Sequence, residues 1–214
     1  MASRPVFIPD FSDQNLFREL LVEFDWSGGF AEVQKKKSIK ALHEAAIKKG
    51  LFKILEISSK SDQEIGRRLS AFSLKYHING RAFPLESVYQ GSKVFEKCGP
   101  FNEIFEYEPK EAKKFIRNLN CGKLKEYRLQ GISYPLSPSN AFYDWLYIRS
   151  LIDHAEWIEN NVKFEAFTDI EFNPAKQLNC QARSFAGYLS LLKKNKLSKA
   201  SSNFDYFCSM LKLI

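Results

Sequence analysis

An extended segment runs through Asn79-Gly80 and is followed almost at once by Pro84; no other stretch constrains the chain as tightly. Asn-Gly is a turn dipeptide, and a proline can open a helix without losing a hydrogen bond. A helix starting there places Glu86, Tyr89, Gln90 and Lys93 at i, i+3, i+4 and i+7, on one face. Leu85, Val88, Ser92 and Phe95 take the other side. A carboxylate, a phenol, an amide and an ammonium thus share a stripe opposite the face that buries. Spacing alone leaves two readings open, a solvated helix face and a chemical one.

The rest of the chain supplies a frame. Residues 15–24 read as a short helix and 33–49 as a helix with Ile39, Leu42, Ala46 and Ile47 apolar, closed by Gly50. Residues 52–57 are β-like, 102–118 helical, and 140–158 helical with an apolar stripe wide enough to bury on most sides. Residues 164–172 alternate like a strand, and 180–193 form a further amphipathic helix. Helices outnumber strands without a βαβ rhythm, so the expected class is α+β: one mainly helical domain over 1–214 with a small sheet. There is no Gly-x-Gly-x-x-Gly or Walker motif, which argues against dinucleotide-binding and P-loop folds.

The 44% hydrophobic content and 19 Phe fit a chain of 214 residues with a substantial aromatic core. No stretch approaches the roughly 18 apolar residues of a membrane span, and the start lacks a secretory signal, so a cytoplasmic protein without a membrane partner is expected. Cys98, Cys121, Cys180 and Cys208 are scattered and read as reduced thiols. Lys and Arg exceed Asp and Glu by 32 − 25 = 7, a surplus that suits a polyanionic partner without establishing one. Lys35-Lys36-Lys37 and the 193–199 lysines read as solvated faces.

Several residue groups can carry chemistry. Glu86, in a first helical turn, is held ionised by the helix dipole and can orient water or steady a cationic centre. Lys93 is either a cation for an oxyanion or, with its pKa lowered, a nucleophile. Asp169, Glu171 and Asn173 project from one face of the expected strand. Their oxygens suit hydroxyls or water; a divalent cation is disfavoured, since no His joins them. Ser58-Ser59-Lys60-Ser61 follows a β-like run and has the hydroxyls and backbone donors of a phosphate cradle, with Arg67 and Arg68 near in sequence. Trp26 beside Gly28-Gly29 offers a face for a base or a core contact. Trp145 reads as core, with a pocket-lining role as the second choice. His43, His77 and His154 form no cluster.

Leu69-Ser70-x-Phe72-Ser73, the Gly80 turn, Glu86, Tyr89-Gln90 and Lys93-x-Phe95 together resemble the signature of the NADAR (YbiA-like) superfamily. Asp25-Trp26-Ser27-Gly28-Gly29-Phe30-Ala31, Ile57 to Ser61, Phe142 to Tyr147 and Phe167 to Pro174 resemble its antitoxin branch, paired with a toxin that ADP-ribosylates guanine in DNA. The wider superfamily has Asp-x-x-Trp-Gly near its C-terminal motif. Here the run is Asp169-Ile170-Glu171-Phe172-Asn173, so that tryptophan has no counterpart. The resemblance implies a hydrolase that frees ADP-ribose from guanine without a cofactor or metal. ADP-ribosylated DNA, released ADP-ribose and a cognate ADP-ribosyltransferase toxin are the implied partners. It puts catalysis on Glu86, Lys93 and Asp169. Binding falls to Ser58, Ser59, Lys60 and Ser61, which would hold the pyrophosphate, and to Ser70, Phe72, Tyr89, Gln90, Trp26, Gly29, Trp145, Glu171, Asn173 and Asn179. Two alternatives remain, an N-glycosidase acting on a free phosphoribosyl metabolite and a non-catalytic immunity protein.

Overall fold

The computed structural model describes residues 1–12, 15–29 and 31–211; Phe30, inside the first branch motif, lies outside them. The chain opens with β1 (Ala2–Pro9) and β2 (Phe17–Phe24), antiparallel along their whole length from Ala2↔Phe24 to Pro9↔Phe17. Residues 15–24 were expected to be helical. Val22 and Phe24 are instead the buried members of an alternating strand, and eight cross-strand pairs outweigh weak helix propensity. β3 (Ile54–Glu56) and β9 (Ala166–Thr168) complete a sheet of order β2-β1-β9-β3, with β3 and β9 parallel.

Alternation along these strands builds two cores. Val6, Val22 and Ala166 face α1 (Glu32–Ile47), which returns Ile39, Leu42 and Ala46. Phe7 and Phe167 face α7 (Gln181–Lys193), where the Phe167 and Phe185 rings meet edge to face at 4.9 Å. Gly50, at φ +90°, turns the chain out of α1 as expected.

After α2 (Glu64–Arg68), β4 (Lys75–Ile78) and β5 (Arg81–Pro84) form the expected hairpin, with Asn79 at φ 50° and Gly80 at φ 77°, the geometry a two-residue hairpin loop needs. α3 (Leu85–Gly91) then runs into β6 (Lys93–Phe95), which pairs with β7 (Leu124–Leu129), itself paired with β8 (Ile132–Tyr134). The helix expected over 102–118 divides into a 3-10 turn, Asn102–Glu106, and α4 (Pro109–Arg117), because Pro109 must start a helix and cannot continue one. The helix expected over 140–158 likewise divides into α5 (Ala141–Ser150), a 3-10 turn, Ile152–His154, and α6 (Ala155–Asn161). α8 (Leu197–Ser202) and α9 (Phe204–Leu211) close the chain.

Among the described residues the fold is therefore mixed α and β with three small sheets, richer in strand than a mainly helical domain with one small sheet. One thiol expectation also falls: Cys98 and Cys121, with Cα atoms 5.7 Å apart, form a disulfide across the loop that contains α4. Cys180 and Cys208 are buried and take no part in this disulfide. Among the described residues no helix is long and apolar enough to cross a membrane.

Candidate active site

α3 decides the site. All seven of its residues are buried, so its polar side is no solvated face. Glu86 and Gln90 point into a cavity of about 390 Å³ bounded by α3, α4, the 169–179 loop and the start of α7. Burying a carboxylate and an amide is costly unless each finds partners, and here they partner each other. Gln90 Nε2 donates to Glu86 Oε1 at 2.7 Å, and Lys93 Nζ donates to Gln90 Oε1 at 2.7 Å. Lys113, from α4, brings its Nζ to 3.2 Å from Glu86 Oε1.

Lys93 reaches this row by a different route from the one its spacing predicts. The helix stops at Gly91, where an added Cβ would fall 2.6 Å from both the Phe101 carbonyl oxygen and the Phe105 ring. Phe101 N–H donates to the Gly91 carbonyl at 2.7 Å, so another element occupies the path of a further turn. Lys93 and Phe95 lie on β6 instead. Burial lowers the Lys93 amine to about 8; the Glu86 charge opposes that shift and Lys113 adds to it. The ammonium also sits 5.0 Å above the Tyr89 ring.

The cavity floor is Asp169, but not on a strand. β9 ends at Thr168, and Asp169 to Phe172 turn away from it. Alternating side chains on an extended face are thus lost: Asp169 and Glu171 line the cavity, whereas Asn173 does not. Asn173 Oδ1 accepts the Ala175 N–H at 3.1 Å within its own loop. Asp169 Oδ1 accepts the Glu171 N–H at 3.1 Å, and Oδ2 accepts the Gln181 N–H at 3.3 Å and Nε2 at 3.2 Å. Gln181 Oε1 in turn accepts the Ala71 N–H at 2.6 Å, tying the Leu69-Ser70-Ala71-Phe72 segment to the floor. Burial raises the Asp169 carboxyl above its ordinary range.

Behind Asp169 lies a second buried acid, Glu56. Its Oε1 accepts the Ile170 N–H at 2.8 Å and its Oε2 the Thr168 hydroxyl at 2.6 Å, so Glu56 holds both neighbours of Asp169, one by its backbone and one by its side chain. Burial, then the nearby Asp169 charge, raises it. His43 Nε2 lies 2.8 Å from the Thr168 hydroxyl oxygen, and burial lowers this imidazole to about 4.

Tyr89, Tyr127 and Tyr143 form an aromatic wall, with the Tyr89 and Tyr127 hydroxyls 2.9 Å apart. Asn179 hydrogen-bonds Tyr89 and lines the cavity. Half-exposed Phe72 lies at its rim beneath the Lys113 ammonium at 4.8 Å. A carboxylate, an amine of lowered pKa and a second carboxyl raised by burial, facing one cavity, can pass protons and steady positive charge at a reacting carbon.

Other expected site residues stand elsewhere. Ser58, Ser59, Lys60 and Ser61 do not line the cavity. Ser58 and Ser61 are buried; Ser58 Oγ accepts the Lys60 N–H at 3.1 Å and hydrogen-bonds Glu56, and Ser61 Oγ accepts the Gln63 N–H at 3.3 Å. Lys60 Nζ faces Glu32 at 3.8 Å, and Arg67 donates to the Ser61 carbonyl at 2.7 Å. The Ser58 and Ser61 hydroxyls are thus engaged within the turn that follows β3, while Ser59 is exposed. Ser70 is buried and its Oγ accepts the Phe72 N–H at 3.3 Å. Trp26 packs on Phe24 under Arg4 and Lys35, and neither it nor exposed Gly29 lines the cavity. Trp145 is core, its Nε1 donating to the Ala200 carbonyl at 3.1 Å.

Sequence reasoning missed Lys113, Tyr127, Tyr143 and Gln181. None of the four gave a local signal, because they converge on the cavity from separate elements. Among the described residues no group of three or more His, Cys, Asp or Glu could hold a metal ion.

No curated protein matches the chain. The family described as DarT1-associated NADAR antitoxin matches residues 2–213. That match spans nearly the whole sequence, including every element that builds the cavity, and the chain belongs to this antitoxin family.

Proposed function

We propose that this antitoxin is an ADP-ribosyl glycohydrolase that removes ADP-ribose from guanine in DNA, reversing its toxin's modification. One observation carries the chemistry: Glu86 and a Lys93 amine lowered to about 8 are coupled through Gln90 at the wall of one cavity whose floor is Asp169. The bond to break joins ribose C1 to the guanine amino nitrogen. As it stretches, positive charge grows at C1, and the Glu86 carboxylate and the wall tyrosines face that charge. The bond's electron pair leaves on nitrogen, which takes a proton from the Asp169 carboxyl, whose raised pKa suits a donor. Water then adds to C1 and gives its proton back to Asp169.

In the covalent variant the Lys93 amine attacks C1, guanine departs, and the ring opens to a Schiff base that water hydrolyses to free ADP-ribose and the amine. A neutral amine is required, and a pKa near 8 supplies an appreciable fraction at neutral pH. Borohydride distinguishes the routes by trapping an adduct only on the covalent one.

The test is turnover of an oligonucleotide carrying ADP-ribose on guanine, beside one carrying it on thymine. Release of ADP-ribose from the first and little from the second is expected. Inert guanine adducts, with rapid cleavage of a small phosphoribosyl compound, would transfer the site to metabolite chemistry. That control matters because the Ser58–Ser61 turn, the feature of the sequence that favoured the larger ligand, does not line the cavity.

A further inference from the structure

Two helices carry lysine-rich faces, and their charges are treated differently. On α1, Lys35 faces Glu171 at 3.5 Å, Lys36 faces Asp62 at 3.0 Å and Glu32 at 3.5 Å, and Lys40 faces Glu44 at 3.9 Å. Three of its four lysines thus face carboxylates of this chain, and Lys37 is exposed. On α4, Lys110, Lys113, Lys114 and Arg117 recur at i, i+3, i+4 and i+7 and are all exposed, while Ala112 and Ile116 bury against Phe101 and Ile104. Among the described residues, Lys110, Lys114 and Arg117 form no ion pair. Only Lys113 has a carboxylate, and it is Glu86 of the candidate active site.

The stripe is therefore continuous with the cavity: Lys113 lines it, and the other three cations lead away along the helix. From Lys110 to Arg117 an α-helix rises about 10 Å, room for on the order of two to three phosphates of one strand. A base whose substituent enters a recessed pocket must leave its stack, which favours a single strand over a duplex. We propose that the α4 stripe is the docking track for single-stranded DNA flanking the modified guanine. The inference rests on the function proposed above and adds where the strand lies. Glu111 borders the stripe on one side and sets an edge against phosphate there.

The experiment compares wild type with a triple variant, Lys110→Glu, Lys114→Glu and Arg117→Glu, and with the milder triple Gln variant; Lys113 is left intact because it touches the site. Fluorescence anisotropy with an unmodified single-stranded DNA oligonucleotide is read over a salt series. Turnover is read on an ADP-ribosylated oligonucleotide and on ADP-ribosylated guanosine. The track predicts a tenfold or greater loss of oligonucleotide affinity at low salt. The slope of log affinity against log salt should become shallower by about 2, and guanosine-adduct turnover should not change. Oligonucleotide affinity and slope equal to wild type in both triples overturn the track, including when the same variants lose binding to an acidic surface of the toxin. If wild type turns over neither adduct, the hydrolase reading falls; the anisotropy result still decides the track. If the Glu triple does not fold, the Gln triple supplies the same comparison at smaller amplitude.

Discussion

The α3–β6 wall and the 58–61 turn are both polar stretches set against buried sheet or helix, yet they use their polarity in opposite ways. Along the wall, side chain meets side chain: Lys113 to Glu86, Glu86 to Gln90, Gln90 to Lys93. Each group stays held in place and still faces the cavity. In the turn, Ser58 and Ser61 hydroxyls meet the backbone two residues on, and the Ser61 carbonyl takes Arg67. Such local bonds satisfy the turn and occupy the two buried hydroxyls. Density of polar residues thus does not mark a site; what those residues are bonded to does.

The sharpest way to break this contrast is Glu86→Gln. The amide keeps an oxygen for Gln90 Nε2 but cannot carry charge, so hydrolysis should fall by about two to four orders of magnitude with ADP-ribose still bound. Stability should change by about 1 kcal/mol or less, because Lys113, the ion-pair partner of Glu86 among the described residues, is half exposed. Near-normal turnover with normal folding would leave the wall as mere packing.

Lys93 comes next. Lys93→Ala should lose activity by roughly two orders of magnitude. The pH profile of the parent protein then assigns the role. A nucleophilic amine gives a rate that rises with pH and levels above about 8, where the amine is neutral; a phosphate-holding ammonium gives one that falls above about 8. A profile flat from pH 7 to 9, or one unaltered by Lys93→Ala, removes Lys93 from the chemistry.

These two residues also show what the sequence makes legible. Asn79-Gly80 announced its hairpin because the turn needs positive φ at both positions. The 181–193 helix was equally plain from its period. Lys93 lines the cavity from a different element than its spacing predicts, because the Gly91 carbonyl that a further helical turn would use accepts the Phe101 N–H, ten residues on. Asp169 was likewise found on an expected strand that stops one residue earlier. Lys113, Tyr143 and Gln181 stayed hidden because no local pattern says that α4, α5 and α7 meet α3. The Cys98–Cys121 pair, separated by 23 residues, has no spacing signature either.

A smaller effect tests the support behind Asp169. Half-buried His43 has a folded pKa of about 4 against an ordinary value of 6.5. Between these values the unfolded chain takes up a proton and the folded one does not, so stability is lost as pH falls through that window and is fully present above it. Relative to His43→Gln, the parent protein should lose up to about 2 kcal/mol between pH 7 and pH 5. Urea denaturation at the two pH values measures this; taking the difference between proteins removes the opposing contributions of Glu56 and Asp169. An equal pH dependence in both proteins would mean that the imidazole is solvated enough to titrate normally.

The smallest effect belongs to the other half of the comparison. If the 58–61 turn held pyrophosphate, Lys60→Ala would weaken ADP-ribose binding by roughly 1–3 kcal/mol, the worth of a charge-assisted hydrogen bond. Its ammonium instead faces Glu32 at 3.8 Å, with a third of its side chain exposed, and an exposed pair of that kind contributes at most about 1 kcal/mol to stability. ADP-ribose affinity by calorimetry should therefore stay within about 0.5 kcal/mol of the parent value, the range expected of a surface change away from a site. Lys113→Ala, removing a cation that lines the cavity, should weaken it measurably. The two variants delete the same charge from opposite sides of the contrast. A larger loss from Lys60→Ala than from Lys113→Ala would return the turn to the binding site and undo the distinction between polar groups that serve the backbone and polar groups that face a ligand.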